Sequence, residues 1–217
     1  EWLLEGTHYA RDTMPAGPMI AAANTRNDLF SVEYTFELGS RTQPLLCHAF
    51  DLLEQSGAGE ATPDVFQKKL FALGTSIDFS CNADTSGIEI TGVDRNLEAS
   101  VGLLREWLGK PALQADTLTK LNDNTISQRR DSTDNSRFLS YAATDFAKYG
   151  KDSSVLQQPS NAKLRKAKVA GLGKLIRQFP NHQHRTLYYG PRKPEQVKSV
   201  VALGSGHKKV APLRELH

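Results

Sequence analysis

The sequence predicts an α+β fold with a mixed, largely antiparallel sheet and helices packed mainly on one face. Three observations carry that expectation. Phe30, Val32, Tyr34, Phe36 and Leu38 alternate strictly with Ser31, Glu33, Thr35 and Glu37, the period of a strand with one covered face and one wet face. A second alternating pair follows at Ile77 to Ala83 and Ile88 to Thr91. Apolar residues recur at helical spacing around these strands, so the order reads ββ-αα-ββ-α-long α-β-α rather than the strict alternation of a parallel α/β sheet.

The elements follow in order. Pro15, Gly17 and Pro18 give residues 1–17 the character of an irregular lead-in or interdomain linker, after which Met19 to Ala23 forms a short strand. Asn24 to Asp28 is a polar turn. The alternating strand at Phe30 stops at Gly39-Ser40. Leu45, Leu46, Ala49, Phe50, Leu52 and Leu53 then line one helix face up to Gly57. Thr62-Pro63 opens a second helix as N-cap and first helical residue, and Gly74 closes it. A turn around Asp84 to Gly87 joins the second strand pair. Asp94 is placed to cap a helix with Leu97, Val101, Leu104, Trp107 and Leu108 on its apolar face. A long polar helical stretch from Leu113 to Lys148 is broken near Asp131 to Asn135, where small polar side chains compete with the helix backbone. A basic helix from Ser160 to Phe179, a strand at Arg185 to Tyr189 and a helix from Pro194 to Leu203 complete the expected single domain, residues 18–203. Residues 204–217, with Gly204-Ser205-Gly206 and Pro212, read as a linker to a following domain.

At 217 residues the chain can bury a substantial core, and 39% hydrophobic with 24% charged is ordinary for a globular protein. A net charge of +3 gives no bulk electrostatic case for nucleic acid or an anionic membrane. No apolar run approaches the roughly 20 residues needed for a transmembrane segment. The start at Glu1-Trp2-Leu3-Leu4 has neither Met nor signal-peptide order, and reads as the start of a piece of a longer protein. Cys47 on an apolar helix and Cys81 in a strand are read as buried free thiols in preference to a disulfide, which leaves the compartment open.

The segment His48-Ala49-Phe50-Asp51-Leu52 carries the most chemical information. A zinc hydrolase motif His-x-x-Glu-His places two imidazoles one helical turn apart, with the glutamate activating water. Here Leu52 replaces the second imidazole and Asp51 the glutamate, so the segment reads as a degenerate motif with no catalytic or metal residues.

The order of elements, with Leu29 to Ser40, the His48 helix, Leu73-Gly74 before a strand pair, and Gly92-Val93-Asp94-Arg95-Asn96-Leu97, resembles the insulinase-like M16 metallopeptidases. Arg185 to Pro191 followed by an amphipathic helix matches the strand-turn-helix that ends a domain in that family. The resemblance is to the degenerate second-half domain of large bacterial two-half proteins, and implies the LuxS/MPP-like metallohydrolase fold. It further implies a non-catalytic half forming part of a peptide-binding chamber, zinc in a separate catalytic half, and that half and extended peptides as partners. An inactive scaffold subunit is the alternative. The distant glutamate ligand should fall on the helix after Leu118, yet Leu121 to Gln128 contains no glutamate. The edge strand that would carry peptide matches Ser76 to Ala83. Its outward Ser76, Asp78, Ser80 and Asn82 are the expected peptide-contacting positions, and a proline at Ser80 is expected to delete a free edge donor. Cell envelope, periplasm and cytoplasm all remain open.

Other chemistry-bearing residues are read plainly. His182 and His184 share one side of an extended segment with no third ligand nearby. Asp51 and Glu54 read as surface carboxylates, and Lys163, Arg165, Lys166, Lys168, Lys174 and Arg177 as a solvated basic face.

Overall fold

In the computed structural model, residues 3–209 are described. Expectations on Glu1-Trp2 and on Pro212 lie outside them.

Strands β1 (Ala10–Met14), β2 (Gly17–Ala23) and β3 (Leu29–Phe36) open the chain. Helix α1 (Leu46–Glu54), the short strand β4 (Gly57–Ala58) and α2 (Pro63–Leu73) follow, then β5 (Ser76–Cys81) and β6 (Ser86–Val93). Next come α3 (Leu97–Gly109), the short β7 (Pro111–Ala112), α4 (Ala115–Ser132), α5 (Ser136–Tyr149), α6 (Asn161–Lys166) and α7 (Val169–Gln178). Strand β8 (Arg185–Gly190) and α8 (Pro194–Val201) close the fold.

Six strands form one sheet in the order β1-β2-β8-β3-β6-β5, and β4 pairs with β7 apart from it. Only the β2–β8 pairing is parallel; the others are antiparallel, giving the expected mixed sheet. The alternation in β3 sets the layer. Phe30, Val32, Tyr34, Phe36 and Leu38 are buried against the helices, whereas Glu33 is exposed and Glu37 only half-buried. Register carries the covered face across the sheet: Val32 stands opposite Ile90 and Tyr188, and Ile90 opposite Ile77. A one-residue slip would turn all of these to water. α1 packs against α7 and β5, and α3 against β6, α7 and α8. The Tyr34 hydroxyl, buried in this core, donates to the Val201 carbonyl at 2.7 Å and so ties the central strand to α8.

Several sequence expectations are corrected. Part of the supposed irregular lead-in is strand β1, registered against β2 from Ala10–Ala21 to Met14–Gly17. Its apolar content is too low for periodicity to reveal it, since one edge partner and one buried residue, Met14, suffice to hold it. Asp94 does not cap α3. It lies in a 3-10 turn, and its carboxylate instead accepts from Arg192 Nε at 2.9 Å. Thr62 occupies the N-cap of α2 without a side-chain bond, while Gly74 closes the helix in the left-handed region at φ 59°. The basic helix is two helices, broken at Ala167 and Lys168, whose backbone is extended. The turn between β5 and β6 is earlier than expected, at Asn82 to Thr85. Residues 204–209 of the expected linker pack back on the body, where the Lys208 amide donates to the Asn181 carbonyl.

Candidate functional site

α1 presents two stripes of side chains because residues three, four and seven apart share a helix face. One stripe faces inward. His48 is 4% exposed and Leu52 fully buried in the hydrophobic core. The His48 Nε2 donates to Oδ1 of Asn122 on α4 at 2.6 Å, and Asn122 is itself only 7% exposed. The partner therefore comes from the stretch of α4 where sequence reasoning looked for a glutamate. A neutral amide stands there, and its hydrogen bond occupies the imidazole nitrogen that points between the helices. The other His48 nitrogen faces the Asp51 carboxylate at 3.9 Å.

These residues do not fit zinc. Leu52 offers no lone pair and is packed in the core, and the Nε2 proton of His48 is committed to Asn122. Among the described residues no group of three or more His, Cys, Asp or Glu is placed to hold a metal ion.

The second stripe, Cys47, Asp51 and Glu54, runs along the edge of β5. Cys47 and Cys81 form a disulfide, with Cα atoms 5.2 Å apart. The expectation of two free thiols is thus corrected. Sequence placed one cysteine on a helix and one on a strand 34 residues away, with no means of showing that the helix lies along that strand. Burial raises the carboxyl pKa of Asp51, with His48 opposing the shift; burial also raises that of Glu54, reinforced by Asp51 and Asp78 and opposed by the Phe79 amide.

β5 is the outer strand of the sheet, paired only with β6. The Asn82 amide donates to the Thr85 carbonyl, so this opposed pair is hydrogen-bonded and the pairs alternate inward from it. Ser80, Asp78 and Ser76 therefore direct their backbone groups at β6. Ile77, Phe79 and Cys81 direct theirs at the open edge, and the Phe79 amide faces Glu54. The proline expectation at Ser80 is corrected accordingly: that amide belongs to the ladder. The side chains of Ser76, Asp78 and Ser80 are exposed on the face of the sheet away from the helices, as expected. Asn82 lies beyond the strand, and its Oδ1 accepts from the Asp84 and Thr85 amides to build the turn. Gly39 lets the chain after β3 close over that turn, where a Cβ would meet the backbone of Asn82 and Ala83.

At this end of β5 a cleft of about 480 Å³ opens. Its floor is Cys47, His48, Asp51 and Cys81. α4 contributes Gln128 and Arg129, and α5 contributes Phe138 and Tyr141, with Val155, Pro159 and Leu164 beyond. Arg129 donates to the Pro159 carbonyl and to Asn161 at 2.7 and 2.9 Å. α5 is capped by Asn135, whose side chain accepts from the Arg137 and Phe138 amides, but it buries no side chain.

The histidines of the other candidate pair separate. His184 is buried against Phe36 and Tyr34 with its Nδ1 at 2.9 Å from the His182 carbonyl, and its Nε2 has no partner among the described residues. His182 packs by Phe179. Burial lowers the pKa of both. Of the basic side chains on α6 and α7, Arg165 pairs with Asp123 at 3.5 Å on the surface.

No protein-family profile matches the sequence, and no curated protein matches it. Solved structures do. The peptidase M16 inactive domain from Pseudomonas fluorescens aligns with a TM-score of 0.80 at 13% identity, over 97% of this chain and 54% of that one. The periplasmic protease PqqL from Escherichia coli aligns at 0.75 and 11% identity, over 96% of this chain and 24% of its own. The ferredoxin protease FusC, solved in complex with Arabidopsis ferredoxin, aligns at 0.74 and 15% identity, again over 96% and 24%. The chain thus has the fold of an M16 peptidase domain, and spans about half or a quarter of the length of these proteins.

Proposed function

We propose that this chain is a non-catalytic half-domain of an M16-type zinc metalloendopeptidase, forming part of a peptide-binding chamber whose zinc sits in a separate catalytic half. The observation that carries the reading is the replacement of the site in place. Leu52 is buried in the core where the motif's second histidine would stand, and the His48 Nε2 that a metal would need is hydrogen-bonded to Asn122. The likeness to an inactive M16 domain over 97% of the chain supports it. In this role the chain binds and positions extended substrate along β5, with Ser76, Asp78 and Ser80 on the wet side of that wall. Backbone pairing at a sheet edge supplies affinity with little sequence preference.

The test uses this chain alone and together with the catalytic half. Elemental analysis after dialysis against trace zinc is expected to give well under one zinc per chain, and a quenched fluorescent peptide is expected to be cleaved only when the half bearing His-x-x-Glu-His is present. Stoichiometric zinc, or hydrolysis by the metal-stripped chain, would overturn the assignment. Hydrolysis by the catalytic half that does not depend on this chain would favour a scaffold role.

A further inference from the structure

The charge distribution along the open edge identifies which peptides it suits. Asp51 and Glu54 project from α1 beside β5, and Asp78 stands on β5 itself. Among the described residues none of the three is paired with a lysine or arginine: Asp51 has only His48 at 3.9 Å, and Asp78 accepts only from the Ser76 hydroxyl at 2.8 Å. Their mutual repulsion is felt at Glu54, where both Asp51 and Asp78 favour the neutral acid. Arg41 is paired with Asp84 at 2.7 Å, while Arg129, which lines the cleft with Asp51, donates to the neutral Pro159 carbonyl and Asn161 side chain and keeps its charge. Glu54 and Asp78, which lie outside the cleft lining, therefore leave negative charge along the edge with which no lysine or arginine pairs among the described residues. At its Cys81 end the same edge runs into the cleft, whose far wall is apolar at Phe138, Tyr141, Val155 and Leu164.

We propose that the edge of β5 and the adjoining cleft bind an extended peptide segment that carries basic side chains towards Asp51, Glu54 and Asp78 and an apolar side chain into the cleft. This deepens the peptide-chamber reading and rests on it. The backbone of the segment pairs with the outward groups of Ile77, Phe79 and Cys81, which limits the paired length to the five residues 77–81. A peptide amide and carbonyl at this edge replace the contact between the Phe79 amide and Glu54, and a lysine or arginine of the peptide then neutralises the released carboxylate. Side chains of an added strand alternate between its two faces, so one set faces Asp51, Glu54 and the cleft on the helix side while the other faces Asp78 on the wet side. Acidic or uniformly polar segments meet repulsion at the edge or leave the cleft wall wet.

Fluorescence anisotropy with four labelled ten-residue peptides tests this: one with lysines and one phenylalanine, the same with glutamate for lysine, the same with serine for phenylalanine, and the first peptide N-methylated on alternate amides. The basic, phenylalanine-containing peptide is expected to bind about tenfold tighter than its acidic counterpart, as two or three partly exposed ion pairs allow. The double variant Asp51→Asn with Glu54→Gln should bring that ratio below about threefold while retaining cooperative unfolding. Equal binding of basic and acidic peptides with loss on N-methylation would overturn the charge selectivity and leave edge pairing standing. Undiminished binding of the N-methylated peptide, or no binding of any of the four, would overturn both. Equal binding of the serine peptide would remove the apolar part of the proposal.

Discussion

Reduction of the Cys47–Cys81 disulfide should destabilise the fold and free the site's floor. The bridge closes a loop across 34 residues of sequence separation, and in the chain-entropy account a loop of that length restricts the unfolded ensemble by about 3.8 kcal/mol. In a domain of this size that corresponds to roughly 8 to 15 °C in Tm. The loss falls unevenly, because the bridge joins α1 directly to the outer strand of the sheet, where one side has no further strand to hold it. Urea unfolding followed by circular dichroism, with and without dithiothreitol, gives the magnitude, and the Cys47→Ser, Cys81→Ser double variant controls for effects of the reductant. Thiol titration of the unreduced, denatured chain should find no free thiol. A change below about 1 kcal/mol between oxidised and reduced forms, or two titratable thiols in protein prepared under oxidising conditions, would refute the reasoning. Protein made in a reducing cytoplasm should behave as the double variant does, since such bridges form and persist in oxidising compartments.

Other consequences are measurable. Asn122→Ala leaves the buried His48 Nε2 without its acceptor and should cost about 1 to 3 kcal/mol, read from the urea midpoint; an unchanged midpoint would mean the bond contributes nothing. His184 is held neutral by burial, so its folded-state pKa lies below the unfolded value near 6.5. Its contribution is therefore complete above about pH 6.5 and is lost as pH falls through the lower folded-state value, and His184→Gln should flatten the acid-side loss of stability relative to the parent. Hydrogen exchange along β5 should alternate, with the Ser76, Asp78 and Ser80 amides protected and those of Ile77 and Cys81 fast; the reverse phase would invert the edge assignment. Ser80→Pro should accordingly cost about 1 to 3 kcal/mol of fold stability by deleting a ladder donor.

The parts of this fold that were legible in sequence share one property: a periodic pattern long enough to declare a face. β3 shows it best, since its five apolar positions fix both register and covered side, and the layer order follows from it. The loss of the motif at Leu52 was equally plain, because a single side chain without a lone pair is decisive wherever the helix sits. β1 escaped because an edge strand with one buried residue has almost no pattern to read. The break between α6 and α7 escaped for a related reason, as Ala167 and Lys168 are unremarkable in a helix and only their extended backbone marks the end.

What sequence could not supply was juxtaposition, and the candidate site is made of little else. Asn122 was inside the stretch searched for a glutamate, yet its role rests on α4 crossing α1 closely enough for a 2.6 Å hydrogen bond to His48. The disulfide depends on α1 lying alongside β5, and the same closeness gathers Asp51, Glu54 and Asp78 from positions that read separately as ordinary surface carboxylates. Even the phase of β5 turned on one hydrogen bond at Asn82, which moves the open backbone groups from the serines to Ile77, Phe79 and Cys81. The serines therefore face the wet side of the sheet while their neighbours present the edge. A peptide that adds to this wall is held through residues whose side chains are turned inward, so substitutions of the exposed side chains should tune its charge preference far more than its backbone affinity.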